Sequence, residues 1–169
     1  LRQRGRMLYM SSPVATSAIN TNRTKVVGVG LTLKSSVDRE VLGISPEAAK
    51  EWQRRTEAEF SLWAKNKANC DATGMNNFYG MQQLALVAWL QSGDVFPVFK
   101  RRNPTPVNPY SLRIHLVEAD RVRTPAEYGG GTAVAHITDG KNPENGNRIF
   151  DGVEVDNDGM VVAYYVHNT

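Results

Sequence analysis

Beyond Ser45 and Pro46 the chain carries Ala49, Trp52, Thr56, Phe60 and Trp63 at intervals of three or four, with charged residues on most positions between them. That spacing puts two tryptophans and a phenylalanine along one edge of an α-helix, and such an edge has to be covered by other parts of the fold. Ser45 and Pro46 form its start, because a serine hydroxyl accepts from free backbone N–H groups and proline suits the first helical position. The same pair recurs at Ser12 and Pro13, ahead of Val14, Ala15, Ala18, Ile19, Asn22 and Val26, which predicts a helix over 13–27 ending at Gly28. A third helix is predicted over 77–91, with Phe78, Met81, Leu84, Ala85, Ala88 and Trp89 facing inward and Gly93 as its stop.

The period then changes from helical to alternating. "VGLTLK" (29–34) already alternates and predicts a strand, followed by the irregular connection "SSVDREVLGI". "DVFPVFK" (94–100) alternates too, and Pro97, which lacks a ladder donor, places it at a sheet edge. After the loop "RRNPTPVNP", the segment "SLRIHLVEADRV" (111–122) reads as a strand with Leu112, Ile114 and Leu116 on one face. "TPAEYGGGTAV" reads as a flexible loop. "RIFDGVEVD" and "MVVAYYVH" then form a hairpin about "DNDG". The fold class is α+β: N-terminal amphipathic helices followed by a mostly antiparallel sheet ending in a β-hairpin. At 169 residues and 18.7 kDa the chain suits a single domain, 1–169, helical over about 1–92 and sheet over about 93–169.

With 22% charged and 41% apolar residues, neither a disordered nor a fibrous chain is indicated. The richest apolar run, "LALVAWL" (84–90), falls well short of the roughly 20 residues a membrane span needs, so no membrane partner is expected. The single Cys70 cannot form an internal disulfide, which fits a reducing compartment. The formal charge of +3 hides an asymmetry: residues 1–37 hold Arg2, Arg4, Arg6, Arg23, Lys25 and Lys34 and no acid, whereas 103–169 is acidic on balance. Arg2, Arg4, Arg6, Arg23 and Lys25 are thus a candidate basic contact surface for nucleic acid or an acidic protein, against the plainer reading of a solvated helix face.

The candidates for chemistry fail one by one. Glu154, Asp156, Asp158 and Gly159 fall at positions 1, 3, 5 and 6 of a calcium loop, but the closing position is Tyr165 instead of glutamate and the flanks alternate as strands. "GVG" at 28–30 lacks the third glycine of a phosphate-cradling loop and follows a helix instead of opening one. His115, His136 and His167 lie far apart, with no close ligand pair of the kind that marks a zinc site. Cys70 beside Asp71 has no local base and reads as a small packing residue. No serine sits in a nucleophile elbow. Trp52, Phe60, Trp63 and Trp89 sit at helical core positions and are not interleaved with cations on strands, so core packing is favoured over base stacking. No catalytic residue, metal site or cofactor is expected, and the protein is not read as an enzyme.

Four stretches, in this order, carry a resemblance: "SSPVATSAINTNRTKVVGVGL", "FSLWAKNKANCDATGMNNFYGMQQLALVAWLQSGDVF", "LRIHLVEADRV" and "IFDGVEVDNDGMVVAYYV". Together they resemble the N-terminal part of lambda-family tailed-phage portal proteins. The matching elements are Pro13 through Val26-Val27-Gly28-Val29-Gly30-Leu31, the tryptophan-bearing helix, Asp71 with Gly74, and the Phe-led helix ending in Gly93-Asp94-x-Phe96. Glu118-Ala119-Asp120 follows, and then Gly152-Val153-Glu154-x-Asp156 with Tyr164 or Tyr165. Ser11-Ser12 stand where asparagines are common in that family, Asp94 where glutamate is common, and Pro97 falls inside a strand.

The resemblance implies a structural subunit of a ring, typically of twelve copies, at one capsid vertex, through which double-stranded DNA is packaged and ejected. The implied partners are further copies of the chain, the major capsid protein, the terminase large subunit and head-tail connector proteins. The implied location is the virion, with assembly in the bacterial host cytoplasm. Residues 1–169 would correspond to the outer wing of a longer chain, with channel helices and the motor-docking clip outside them. Two other readings stand beside it: a nucleic-acid-binding module using the basic N-terminal segment, and a small hydrolase using Cys70 or converging histidines.

Overall fold

The computed structural model describes residues 2–106, 108–129 and 139–167. The chain forms two compact units, Leu1–Leu116 and Val117–Thr169. Helices precede sheets, and the class is the expected α+β.

The first unit contains α1 (Arg2–Ser11), α2 (Pro13–Val26), α3 (Arg39–Leu42), α4 (Pro46–Lys65), α5 (Lys67–Cys70), α6 (Phe78–Ser92) and β1 (Val95–Arg101). It also holds most of β2 (Leu112–Glu118), which pairs with β1 in a two-stranded sheet. The Ser-Pro starts behave as expected: the hydroxyls of Ser12 and Ser45 accept from the N–H groups of Ala15 and Ala48. Asn77 caps α6 through Gly80 N–H, and the Gly93 N–H closes its far end on the Trp89 carbonyl.

Two strand expectations are corrected. Residues 2–11, for which the spacing predicted no particular element, wind into α1, which packs along α2 and α6. Residues 29–34 form no strand. The backbone turns into left-handed geometry at Gly28 and Gly30, and side-chain amides of α6 take the hydrogen bonds a neighbouring strand would have made. Gln82 both accepts from Leu31 N–H at 2.6 Å and donates to Leu31 C=O at 3.1 Å, while Gln83 donates to the Gly28 carbonyl at 2.6 Å. The strand foreseen over 111–122 stops at Glu118, and Ala119–Arg121 tighten into a turn of 3-10 helix.

The core of this unit is Trp63, Ala64, Cys70, Met81 and Ile114, with Phe60, Phe78, Tyr79, Tyr110 and Leu116 packed against it. Phe60, Trp63 and Phe78 form a three-ring cluster with centroids 5.2–5.5 Å apart, Phe60 and Phe78 meeting edge to face at 88°. The Trp63 indole N–H reaches the Leu112 carbonyl at 3.1 Å and so ties α4 to β2. The inward placement of Trp52, Leu84 and Trp89 is not borne out: they are 51%, 48% and 57% exposed. Of the α4 stripe, Ala49 and Trp63 are buried and Phe60 is half-buried, and α6 is apolar around nearly its whole circumference, so spacing alone could not select its buried face.

The second unit is a four-stranded antiparallel sheet in the order β3 (Asp139–Lys141), β4 (Arg148–Phe150), β5 (Val153–Val155), β6 (Val161–Tyr164). The expected hairpin about "DNDG" is β5–β6. "RIFDGVEVD" is not one strand arm, because Asp151 and Gly152 both have positive φ (47° and 84°) and make a tight turn between β4 and β5. A Cβ on Gly152 would lie within 2.7 Å of Arg123 backbone atoms, so no other residue fits there without displacing the 123 segment. That segment is itself pinned: Arg123 N–H donates to Tyr165 C=O, Tyr165 N–H to Gly152 C=O and His167 N–H to Arg121 C=O. Val117, Ala119, Val122 and Ile149 are the buried apolar residues among those described in this unit.

Replacing Trp63 by alanine is expected to destabilise the protein by about 3–5 kcal/mol, as for other buried large aromatics, whereas Trp52→Ala should cost about 1 kcal/mol or less. Urea unfolding followed by circular dichroism measures both; equal losses would contradict this assignment of the core.

Candidate functional site

The acid-rich segment at 151–158 is occupied by its own turns. One Asp156 carboxylate oxygen accepts from Asp158 and Met160 N–H, both at 2.9 Å, and left-handed Gly159 returns the chain into β6. Glu154 points the other way, 2% exposed, and takes hydrogen bonds from the Tyr165 hydroxyl (2.5 Å) and the side-chain amides of Asn145 (2.7 Å), Asn147 (2.8 Å) and Asn142 (3.2 Å). The Tyr165 hydroxyl and the three amides hold the Glu154 carboxyl down at about 2, against an opposing effect of burial. Burial, and then the facing Glu154 carboxylate, push the Tyr165 hydroxyl up to about 12. The pair ties β5 to β6 and to the 142–147 loop, and two of the acids that suggested a calcium loop are spent on this architecture.

Cys70 and Asp71 are likewise structural. Burial raises the thiol of fully buried Cys70, the reverse of what a nucleophile needs. Burial opposes the charge on Asp71, yet the backbone N–H groups of Asn76, Thr73 and Met75 and the Thr73 hydroxyl outweigh it and hold the carboxyl below its ordinary range. His115 lies on β2 and His167 beside the Arg123 carbonyl at 3.1 Å; His136 and residues 130–134 of the glycine-rich loop lie outside the described residues. Among the described residues no three His, Cys, Asp or Glu side chains are grouped to hold a metal ion, and no helix is long and apolar enough to cross a membrane.

The basic residues fall in two places. Arg2, Arg4 and Arg6 ride on α1, with Arg2 3.8 Å from Asp94 and Arg4 exposed. Arg23 and Lys25 occupy the last turn of α2, where cations favourably meet the negative end of the helix dipole.

The feature that sequence reasoning missed is an open apolar groove of about 1050 Å³ in the first unit, between α4 and the β1–β2 pair. Its floor is the core's own edge at Phe60, Trp63 and Ile114; its walls are Trp52, Phe99 and Leu112. Phe99 is 69% exposed. The few polar groups on it include Arg55 and Glu59, and Glu59 is engaged by the Tyr110 hydroxyl at 3.0 Å. Its lining is mostly apolar, with Thr56, Ser111 and Tyr110 as its hydroxyls, which is the character of a contact surface. The signal in the sequence was Phe99 and Pro97 on one face of an edge strand, which a two-stranded sheet cannot cover from both sides.

The profile of the family described as "Phage portal protein, lambda family" matches residues 1–169. The chain belongs to that family. It is also similar to a "Probable portal protein" of Halomonas phage phiHAP-1, with 28% identity over 167 residues that make up 98% of this chain and 28% of the relative. Three of the stretches that carried the resemblance lie on the supports just described. Gly28-Val29-Gly30-Leu31 is the segment clamped by Gln82 and Gln83, Asp71-x-x-Gly74 the loop knotted by a carboxylate, and Gly152 to Asp156 with Tyr165 the sheet locked by Glu154.

Because the folded Glu154 carboxyl lies at about 2 and its ordinary value is 4.5, its contribution to stability is complete above about 4.5 and is lost as pH falls through about 2. The thermal midpoint of the protein should drop over that interval, and Glu154→Gln should flatten the drop while lowering the midpoint at neutral pH. An unchanged acid profile in the variant would remove Glu154 from this role.

Proposed function

We propose that this chain is part of a structural portal subunit that assembles into a closed ring, typically of twelve copies, at one vertex of a phage capsid. Double-stranded DNA is packaged and released through the ring. The major capsid protein surrounds it, the terminase large subunit docks on it during packaging, and head-tail connector proteins bind it afterwards. The observation that carries this reading is the portal-family match along the whole chain. The groove and the apolar edge of the sheet agree with it, because each is a surface an assembling subunit would cover. The reading calls for no catalytic centre, cofactor or membrane, and it places the protein in the virion after assembly in the host cytoplasm. Within it, residues 1–169 act as one structural region of the subunit's outer wing, and the basic residues of α1 and the α2 C-terminus contact a neighbouring subunit or the capsid surface.

The chain spans 28% of the length of the relative it matches, so the protein to test is the full natural open reading frame that contains these residues. Native mass spectrometry with electron-microscopy class averages is expected to show rings of about a dozen subunits around a central hole. A monomer or dimer at every salt concentration would refute the reading. Affinity for DNA in that case, falling steeply with salt and lost on charge reversal of Arg4 and Lys25, would support the nucleic-acid-binding alternative instead.

A further inference from the structure

A closed ring of identical subunits needs two different, mutually complementary patches on each copy, since a head-to-tail contact joins unlike surfaces. The two units of this chain carry such a pair. Residues 1–116 hold sixteen Lys and Arg against eight Asp and Glu; residues 117–169 hold four against nine. The groove of the first unit follows that bias: Arg55 lines it, and Arg101 shares the exposed β1 face of Pro97 and Phe99, with Lys100 and Arg102 beside it. Its one lining acid, Glu59, already accepts from Tyr110.

The second unit offers the converse. β6 is an edge strand of the four-stranded sheet. Met160, Val161 and Val162 are 63%, 45% and 45% exposed, an apolar edge of the kind that folded proteins ordinarily keep short, charged or covered. The turn that leads into it is acidic: Asp156 spends one oxygen on the turn's N–H groups, and exposed Asp158 is the turn's outermost carboxylate. The tip of the β5–β6 hairpin is therefore an apolar ridge with a negative end, and the groove is an apolar trough with a positive rim.

We propose that the groove between α4 and the β1–β2 pair receives the β5–β6 hairpin of a second copy of this chain, with Met160 and Val162 against Trp52 and Phe99 and the Asp156–Asp158 turn against Arg55 and Arg101. This rests on the ring reading above and gives it a repeating, head-to-tail contact. Charge complementarity sets the register and orientation of the contact, and burial of the apolar edge supplies its affinity.

Charge reversal in the full natural protein tests it. Arg101→Glu alone and Asp158→Lys alone should each lower the yield of rings about tenfold at low salt, measured by native mass spectrometry. Both side chains are exposed, so thermal melting of each variant should match the unaltered protein. Mixing the two variants in equal amounts should restore rings with alternating subunits, because every junction then pairs an unaltered groove with an unaltered hairpin or a reversed groove with a reversed hairpin. A contact made within one chain, or with a different protein, gives no rescue on mixing. Normal assembly of either single variant, or a mixture that stays unassembled, overturns the proposal while leaving the ring reading intact. An unaltered protein that forms no ring overturns both.

Discussion

Asp71 fixes the place where the long helices and the strand pair of residues 1–116 meet. Its carboxylate gathers the N–H groups of Thr73, Met75 and Asn76, and so turns the chain from α5 into the start of α6. The backbone on either side bridges to β2, with Asp71 opposite Ile114 and Ala72 N–H on the Ile114 carbonyl. Phe78 and Met81 enter the core just after that turn, and Ile114 enters it from the strand. If the carboxylate were lost, three backbone donors would be left near the core without their acceptor, an arrangement that costs more than the absent bonds themselves. The aromatic cluster, the position of α6 and the floor of the groove all follow from this one connection.

The parts of the fold legible in the sequence were those with a local cause. Ser12-Pro13 and Ser45-Pro46 announced two helices, Gly93 a helix end, and Asn157-Asp158-Gly159 a hairpin, because each acts within a few residues of itself. Failures arose where a distant partner decided. Residues 29–34 alternate as a strand should, yet Gln82 and Gln83, some fifty residues away, satisfy their backbone. Trp52 and Trp63 occupy one helical stripe, but only the second meets β2. Gly5, a poor helix residue, hid α1, whose support comes from packing along α2 and α6. The groove was invisible for the same reason: it is made by α4 and two strands that lie well apart from it in the chain, and only Pro97 and the exposed Phe99 hinted at it.

Three of the stretches that carried the resemblance share one kind of physical role. At Gly28–Leu31, Asp71–Gly74 and Gly152–Asp156 a short segment is held by side chain to backbone or by a buried carboxylate rather than only by a regular ladder. A hydrophobic position tolerates exchange among residues of similar volume, whereas a carboxylate serving three N–H groups, or a glycine against a backbone, tolerates almost none. This accounts for a resemblance spread along the chain in fragments of a few residues, with no single long motif. Asp71 and Glu154 are reactive in type, but both are held ionised by the groups that hydrogen-bond to them.

The interior charges divide the electrostatics of the molecule in a useful way. Asp71 and Glu154 take their hydrogen bonds from amides and hydroxyls, and buried Arg113 gives its own to the carbonyls of Asn69, Tyr110 and Leu112. Contacts of this kind between a charge and neutral dipoles are short in range and lie away from solvent, so dissolved salt screens them little. The net charges of the two units are carried instead by exposed side chains such as Arg4, Lys100, Arg101 and Asp158, whose interactions salt does screen. The interior and the exposed surface should therefore respond to different variables. Acid, by protonating Glu154, loosens the sheet itself, whereas added salt acts on the exposed charges and leaves each unit folded.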